Sequence, residues 1–123
     1  MPIKDTDIED LFSNKLNSAK ILVIGDLILD QYIFGTSDRI SPESPVPILN
    51  IEKEIYRLGG AANVIANLAG LGIKPYIAGL IGKDAEAKRL TTVLEGLIRN
   101  KKGLVSDPDR PTTLKTRFLA NHQ

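Results

Sequence analysis

The chain has 123 residues, 42% hydrophobic and 25% charged, with a formal net charge of +1; it suits one small packed domain and excludes disorder. No long run of either charge sign exists, so nucleic acid is not an expected partner, and no apolar stretch is long enough to span a bilayer. Cysteine is absent and His122 is the single histidine, which removes disulfides, thiolate chemistry, His-based metal clusters and a Ser-His-Asp triad.

The first residues carry acids (Asp5, Asp7, Glu9, Asp10) where a signal peptide carries bases, so a cytoplasmic protein is expected. Thr6 and Glu9 have capping-box spacing, and Ile8, Leu11, Phe12 and Leu16 recur at helical spacing. They predict an amphipathic helix from about Asp7 to Leu16 on the outside of the domain. Lys20–Gly25 is an apolar, partly β-branched run. It predicts a strand buried on both faces, as in a parallel sheet. Asp26 and Asp30 follow its end, where open α/β sheets bind ligands. Asp30 sits inside the apolar stretch Leu27–Phe34 and so calls for a function.

Gly35–Pro47 contains Pro42, Pro45 and Pro47, which forbid a helix and fit extended backbone. Val46–Tyr56 predicts one or two strands with a solvent-facing side. Together these segments form an excursion such as a flap that excludes water. Gly59 and Gly60 then stand before the apolar run Ala61–Leu71, expected to be a buried helix. A helix N-terminus offers unpaired N–H groups and partial positive charge, and glycines there admit a ligand to the backbone. A tight turn before a core helix explains the same residues. Asn63 and Asn67 share one face of this helix, where burial would oblige them to find polar partners.

Gly72 suits a helix C-terminus. Pro75–Gly82 predicts a second buried strand beside Lys20–Gly25, joined to it by a right-handed crossover through the helix. Asp84 caps the next helix, whose stripe is Leu90, Val93, Leu94, Leu97 and Ile98, with Lys101, Lys102 and Gly103 at its end. Gly103–Val105 reads as a short third strand and Ser106–Pro111 as a loop. In Thr112–Ala120, Leu114, Thr116 and Phe118 alternate with Lys115 and Arg117, a half-exposed strand pattern. The phosphate loop, the Gly-x-Gly-x-x-Gly fingerprint and the nucleophile elbow are all missing.

Gly59-Gly60-Ala61-Ala62-Asn63, followed by Gly72 and Gly82, resembles the first signature of the ribokinase-like (PfkB) carbohydrate kinases, with Ile65 where that family favours a small residue. Ile21–Asp30 is similar to the family's opening strand and sugar-binding aspartate. Arg39–Pro47, Thr112–Arg117 and Asn121–Gln123 resemble the kinase part of the bacterial ADP-heptose pathway enzymes, which phosphorylate D-glycero-D-manno-heptose 7-phosphate at the anomeric hydroxyl. The resemblance implies the N-terminal part of a ribokinase-like three-layer α/β/α fold with a small β-lid. Residues 1–34 and 58–111 would form a truncated α/β core, and residues 35–57 and 112–123 the lid segments.

It further implies that Asp30, Gly59, Gly60 and Asn63 hold sugar hydroxyls, and that Lys115 or Arg117 reaches the phosphate the substrate already carries. The lid would pair between subunits in a homo-oligomer. The family's Gly-Ala-Gly-Asp motif, with its catalytic base, does not occur here. A cut N-terminal portion is therefore expected, with no catalytic residue and no metal site of its own. ATP and Mg2+ would belong to the full-length parent, with no cofactor on this chain. Two other readings remain open: another sugar or nucleoside kinase of this family, and a non-catalytic oligomerisation module.

Overall fold

The computed structural model describes residues 2–120. Asn121, His122 and Gln123 lie outside the described residues, and so does the part of the resemblance that rests on them. The chain runs α1 (Asp5–Asp10), a π-helical segment (Leu11–Lys15), α2 (Leu16–Ser18), β1 (Leu22–Ile24), β2 (Leu27–Ile40), β3 (Pro47–Gly60), α3 (Ala61–Gly70), β4 (Tyr76–Ile81), α4 (Ala85–Glu95), β5 (Leu104–Ser106) and β6 (Thr113–Ala120). Among the described residues no helix is long and apolar enough to cross a membrane.

Two three-stranded sheets result. In the first, β4 lies between β1 and β5 and pairs in parallel with both. Its inward face carries Val23, Ile77 and Ile81. These pack with Ala62 and Ile65 of α3 and with Ala87, Leu90 and Leu94 of α4 in one continuous core. Each fully buried Leu or Ile contributes about 1.5–3 kcal/mol through removal of its surface from water. The α/β class is as expected, and β1 and β4 are parallel neighbours on either side of α3. β1 is not buried on both faces, however: Leu22 and Ile24 are 55% and 73% exposed. In register with them stand Tyr76 and Ala78, and Leu80 is level with Val105. Leu80 and Val105 are also exposed, so the helices described here cover only one face of this sheet.

The second sheet places β2 between antiparallel β3 and parallel β6. β2 and β3 are each 14 residues long. β2 runs through residues 34 and 35, so no strand end marks the expected division between core and lid segments. Leu27 and Leu29 at its root are buried in the shared core and join the two sheets. A three-strand polar ladder crosses the same face of this sheet as Leu27 and Leu29. Gln31 Nε2 donates to Tyr56 Oη at 2.9 Å, and Thr116 Oγ1 donates to Gln31 Oε1 at 2.8 Å.

Several local expectations shift. The first helix starts at Asp5, with Lys4 N–H donating to the Asp7 carboxylate at 3.1 Å; Thr6 lies inside the helix and does not cap it. α3 is half-buried rather than enclosed: Asn63, Val64, Asn67 and Leu71 are exposed, so the two asparagines need no buried partner. α4 stops at Glu95, before the basic pair, and Val93 is exposed rather than part of its core stripe.

Leu90 is completely enclosed between α4 and the parallel sheet. Leu90→Ala should lower the unfolding free energy by about 2–5 kcal/mol, the usual cost of a large-to-small core change. Urea titration monitored by circular dichroism measures the loss; one below about 1 kcal/mol would contradict this account of the core.

Candidate functional site

Register brings the candidate residues together. Asp30 is opposite Arg57 on β3 and opposite Lys115 on β6, and Tyr32 is opposite Arg117. Opposed residues share a face of the sheet, and every second residue returns to it. Asp30, Tyr32, Arg57, Gly59, Lys115 and Arg117 therefore lie on one face of the lid. The alternation in β6 has the expected period, with Leu114, Thr116 and Phe118 on the face of Leu29, Gln31 and Ile33, but burial does not follow it. Phe118 is 65% exposed, while the Arg117 side chain is only 38% exposed and turns to Asp30.

The Asp30 side chain is 14% exposed, and its Oδ1 accepts a hydrogen bond from Arg117 Nη1 at 2.8 Å. Lys115 Nζ is 3.6 Å from the same oxygen. The Oδ2 atom lies against Gly59, where any Cβ would collide with the carboxylate. A side chain at position 59 would therefore push the Asp30 carboxylate out of its place. Gly60 has φ +55 and starts α3 with no side-chain cap, a backbone conformation that favours glycine. The Ala61 N–H donates to the Asp26 carbonyl at 2.8 Å. Asp26 has a turn role through its backbone, and its side chain is exposed. Asn63 follows on the exposed first turn of α3. The arrangement is a carboxylate beside a glycine pair at a helix start, with cations on its other side. It can accept hydroxyl hydrogen bonds and attract an anion.

On the opposite face, a groove of about 500 Å3 separates the lid from α4. It is lined by Tyr56, Leu58, Arg89 and Val93 among others, with Arg89 4.7 Å from the Tyr56 ring centroid. Its lining contains no carboxylate, so it lacks the acceptor chemistry of the Asp30 face.

The position of β6 depends on Asp84. This residue caps α4 by accepting from Ala87 N–H at 2.7 Å. Its carboxylate also accepts from the Thr112 N–H and the Thr112 hydroxyl, both at 2.7 Å. Thr112 Oγ1 in turn accepts from Gly82 N–H at 2.9 Å. The strand bearing Lys115 and Arg117 is thereby anchored to the core at the residue just before it. Only the capping role was legible locally. Arg57 is the site residue that sequence reasoning missed, although its place two residues before Gly59 on a strand was a usable signal.

A family model described as pfkB family carbohydrate kinase matches residues 18–123. The chain is 52% identical over 103 residues to the bifunctional protein HldE of Methylobacillus flagellatus, covering 84% of this chain and 21% of that protein. It is 49% identical over 104 residues to the bifunctional protein HldE of Helicobacter pylori, covering 85% of this chain and 22% of that one. The chain thus spans about a fifth of the length of these relatives. Among solved structures, Arabidopsis thaliana ribokinase complexed with ribose and ATP superposes with a TM-score of 0.65 at 22% identity, over 80% of this chain and 31% of that one. That likeness concerns the fold.

Asp84→Ala should cost about 2 kcal/mol, since it removes a helix cap and leaves the largely buried Thr112 hydroxyl without its acceptor. Hydrogen bonds from the Thr112 N–H, then the Thr112 hydroxyl and then the Ala87 N–H hold the Asp84 carboxyl below its ordinary pKa. A carboxyl depressed in the folded state stabilises fully above its unfolded pKa and loses that contribution as pH falls through the folded value. The stability gap between wild type and variant should therefore narrow from about pH 5 downward. Urea titrations at neutral and acid pH measure it; a gap of constant size would remove Asp84 from this role.

Proposed function

The chain belongs to the pfkB family of carbohydrate kinases, and on that premise we propose that it forms the sugar-binding part of an ATP-dependent carbohydrate kinase. The proposed acceptor is D-glycero-D-manno-heptose 7-phosphate, phosphorylated at its anomeric hydroxyl on the way to ADP-heptose and lipopolysaccharide. The observation that carries this reading is the enclosed Asp30 carboxylate, set between Gly59 and the cations Arg117 and Lys115. A carboxylate with two acceptor oxygens suits adjacent sugar hydroxyls, and a guanidinium suits a phosphate. Gly59 and Gly60 keep the approach to α3 free of side chains, and Asn63 offers an amide on its first turn. Similarity to the HldE proteins supports the heptose assignment over a pentose or a nucleoside.

Among the described residues no group of three or more His, Cys, Asp or Glu stands together. No step of phosphoryl transfer is assigned to these side chains. Their part is to bind and orient the acceptor sugar while the lid excludes water.

Calorimetry should detect heptose 7-phosphate binding to the chain. Asp30→Ala should weaken it at least about a hundredfold, because the phosphate-facing cations remain but the hydroxyl acceptor is gone. Equal affinity in wild type and variant would exclude Asp30 as the sugar ligand, and tighter binding of a nucleoside or an unphosphorylated pentose would redirect the substrate class. With Mg-ATP and heptose 7-phosphate, no sugar bisphosphate should form. Measurable turnover would show that the transfer groups lie within these 123 residues.

Self-association through the lid belongs to the same proposal. Ile51 and Phe118 on the lid strands are 56% and 65% exposed, and large exposed apolar side chains favour contact between copies. Light scattering should give a mass above the 13.4 kDa of the single chain, reduced toward it by Phe118→Asp. A monomer at every concentration would end this part of the reading.

A further inference from the structure

The Asp30 face of the lid carries more positive charge than its carboxylate answers. Arg57, Lys115 and Arg117 all project onto it, against one acid. Arg117 and Lys115 both lie at Asp30 Oδ1. Arg57 has no carboxylate within ion-pair distance among the described residues. Its guanidinium carbon is instead 6.0 Å from the Tyr32 ring centroid, and that of Arg117 is 5.0 Å from the same centroid. β3 and β6 flank β2, so the two guanidinium groups approach Tyr32 from opposite neighbouring strands. Beside them lies a cavity of about 270 Å3 lined by Tyr32, Phe34, Ile55, Arg57 and Leu119.

Charge decides what this face accepts. A neutral sugar that takes Asp30 Oδ1 for its hydroxyls displaces Arg117 and leaves that cation without a counter-charge. A sugar that also carries a phosphate supplies the missing anion. We propose that Arg57 and Arg117, ordered on the Tyr32 ring, form the recognition site for the phosphate already present on the acceptor sugar, and that Arg117 reaches it by exchanging Asp30 for the phosphate as the hydroxyls bind. This rests on the reading of Asp30 as the sugar ligand.

Arginine suits both ends of the exchange, because its planar fork pairs with carboxylate and phosphate alike and stacks on an aromatic ring. Lys115, farther from Oδ1 than Arg117, stays as the weaker counter-charge of Asp30. The exchange makes the site selective in two senses. The phosphate is attracted by two forks, and the unphosphorylated sugar is opposed by the ion pair it must break. Arg57 is thereby a specificity-determining residue with no part in holding the sugar ring.

The test is calorimetry of the whole chain with D-glycero-D-manno-heptose 7-phosphate and with the same heptose lacking phosphate. Arg57→Gln should weaken the phosphorylated sugar at least about tenfold and leave the unphosphorylated one unchanged. Arg117→Gln should weaken the phosphorylated sugar and tighten the unphosphorylated one, since Asp30 Oδ1 is then free. Arg57→Lys, which keeps the charge but loses the fork, should fall between wild type and Arg57→Gln. It also serves as the reporting variant if circular dichroism finds Arg57→Gln unfolded. Equal loss on both sugars in Arg57→Gln, no loss on either, or equal affinity of wild type for the two sugars overturns the phosphate assignment while leaving Asp30 as a sugar ligand. Absence of binding by either sugar overturns the Asp30 reading and this one with it.

Discussion

Asp84 receives hydrogen bonds from the first turn of α4 and from both the backbone and the hydroxyl of Thr112. That carboxylate is the joint between the helical core and the lid. Thr112 is separated from Asp84 by 28 residues, and β6 starts immediately after it. The strand's register on β2 then follows one residue at a time from Thr113 opposite Ile28 to Ala120 opposite Gly35. A slip of one residue would turn Lys115 and Arg117 away from Asp30 and bring Leu114 and Thr116 in their place. The chemistry of the Asp30 face depends on a helix cap that takes no part in it.

The lid sheet has two different faces because its strands are two-sided. One face carries Leu27, Leu29 and Ile33 into the core and holds the Gln31–Tyr56–Thr116 ladder across three strands. The other presents Asp30 among cations. The ladder satisfies polar side chains that would otherwise resist enclosure, and it links the three strands laterally. β2 is therefore both the support of the site and the edge of the core, and displacement of either sheet is felt at Asp30.

Much of this order is legible in the sequence where it is local. Asp84, Leu90 and Leu94 announce α4 by cap and period, and Gly59-Gly60 before Ala61 announces the start of α3. Long-range facts were harder to read. β2 was difficult because Asp30, Gly35 and Arg39 interrupt its apolar run, yet Tyr32-Ile33-Phe34 has the aromatic and β-branched character that strands prefer. The apolar run of α3 suggested full burial, but Asn63, Val64 and Asn67 on it are exposed. In β6 the alternation was visible and puts Leu114, Thr116 and Phe118 on the face of Leu29, Gln31 and Ile33, but hydrophobicity could not show that Phe118 stays exposed or that Lys115 and Arg117 meet an acid 85 residues earlier. Arg57 could be assigned only once the register of β3 on β2 was known.

The distance along the chain between the parts of the Asp30 face sets an order in time. β2 and β3 are neighbours in sequence, so their hairpin closes a short loop and can form early. Each residue of β6 lies 85 residues beyond its partner on the same β2 strand. Until α4 is built and Asp84 can seize Thr112, the β2 edge that will receive β6 stands open, with its amide and carbonyl groups unpaired. Asp30 is thus presented on a finished hairpin before Lys115 and Arg117 arrive. The last strand to pair completes the carboxylate's surroundings and closes the edge most exposed to mispairing during folding.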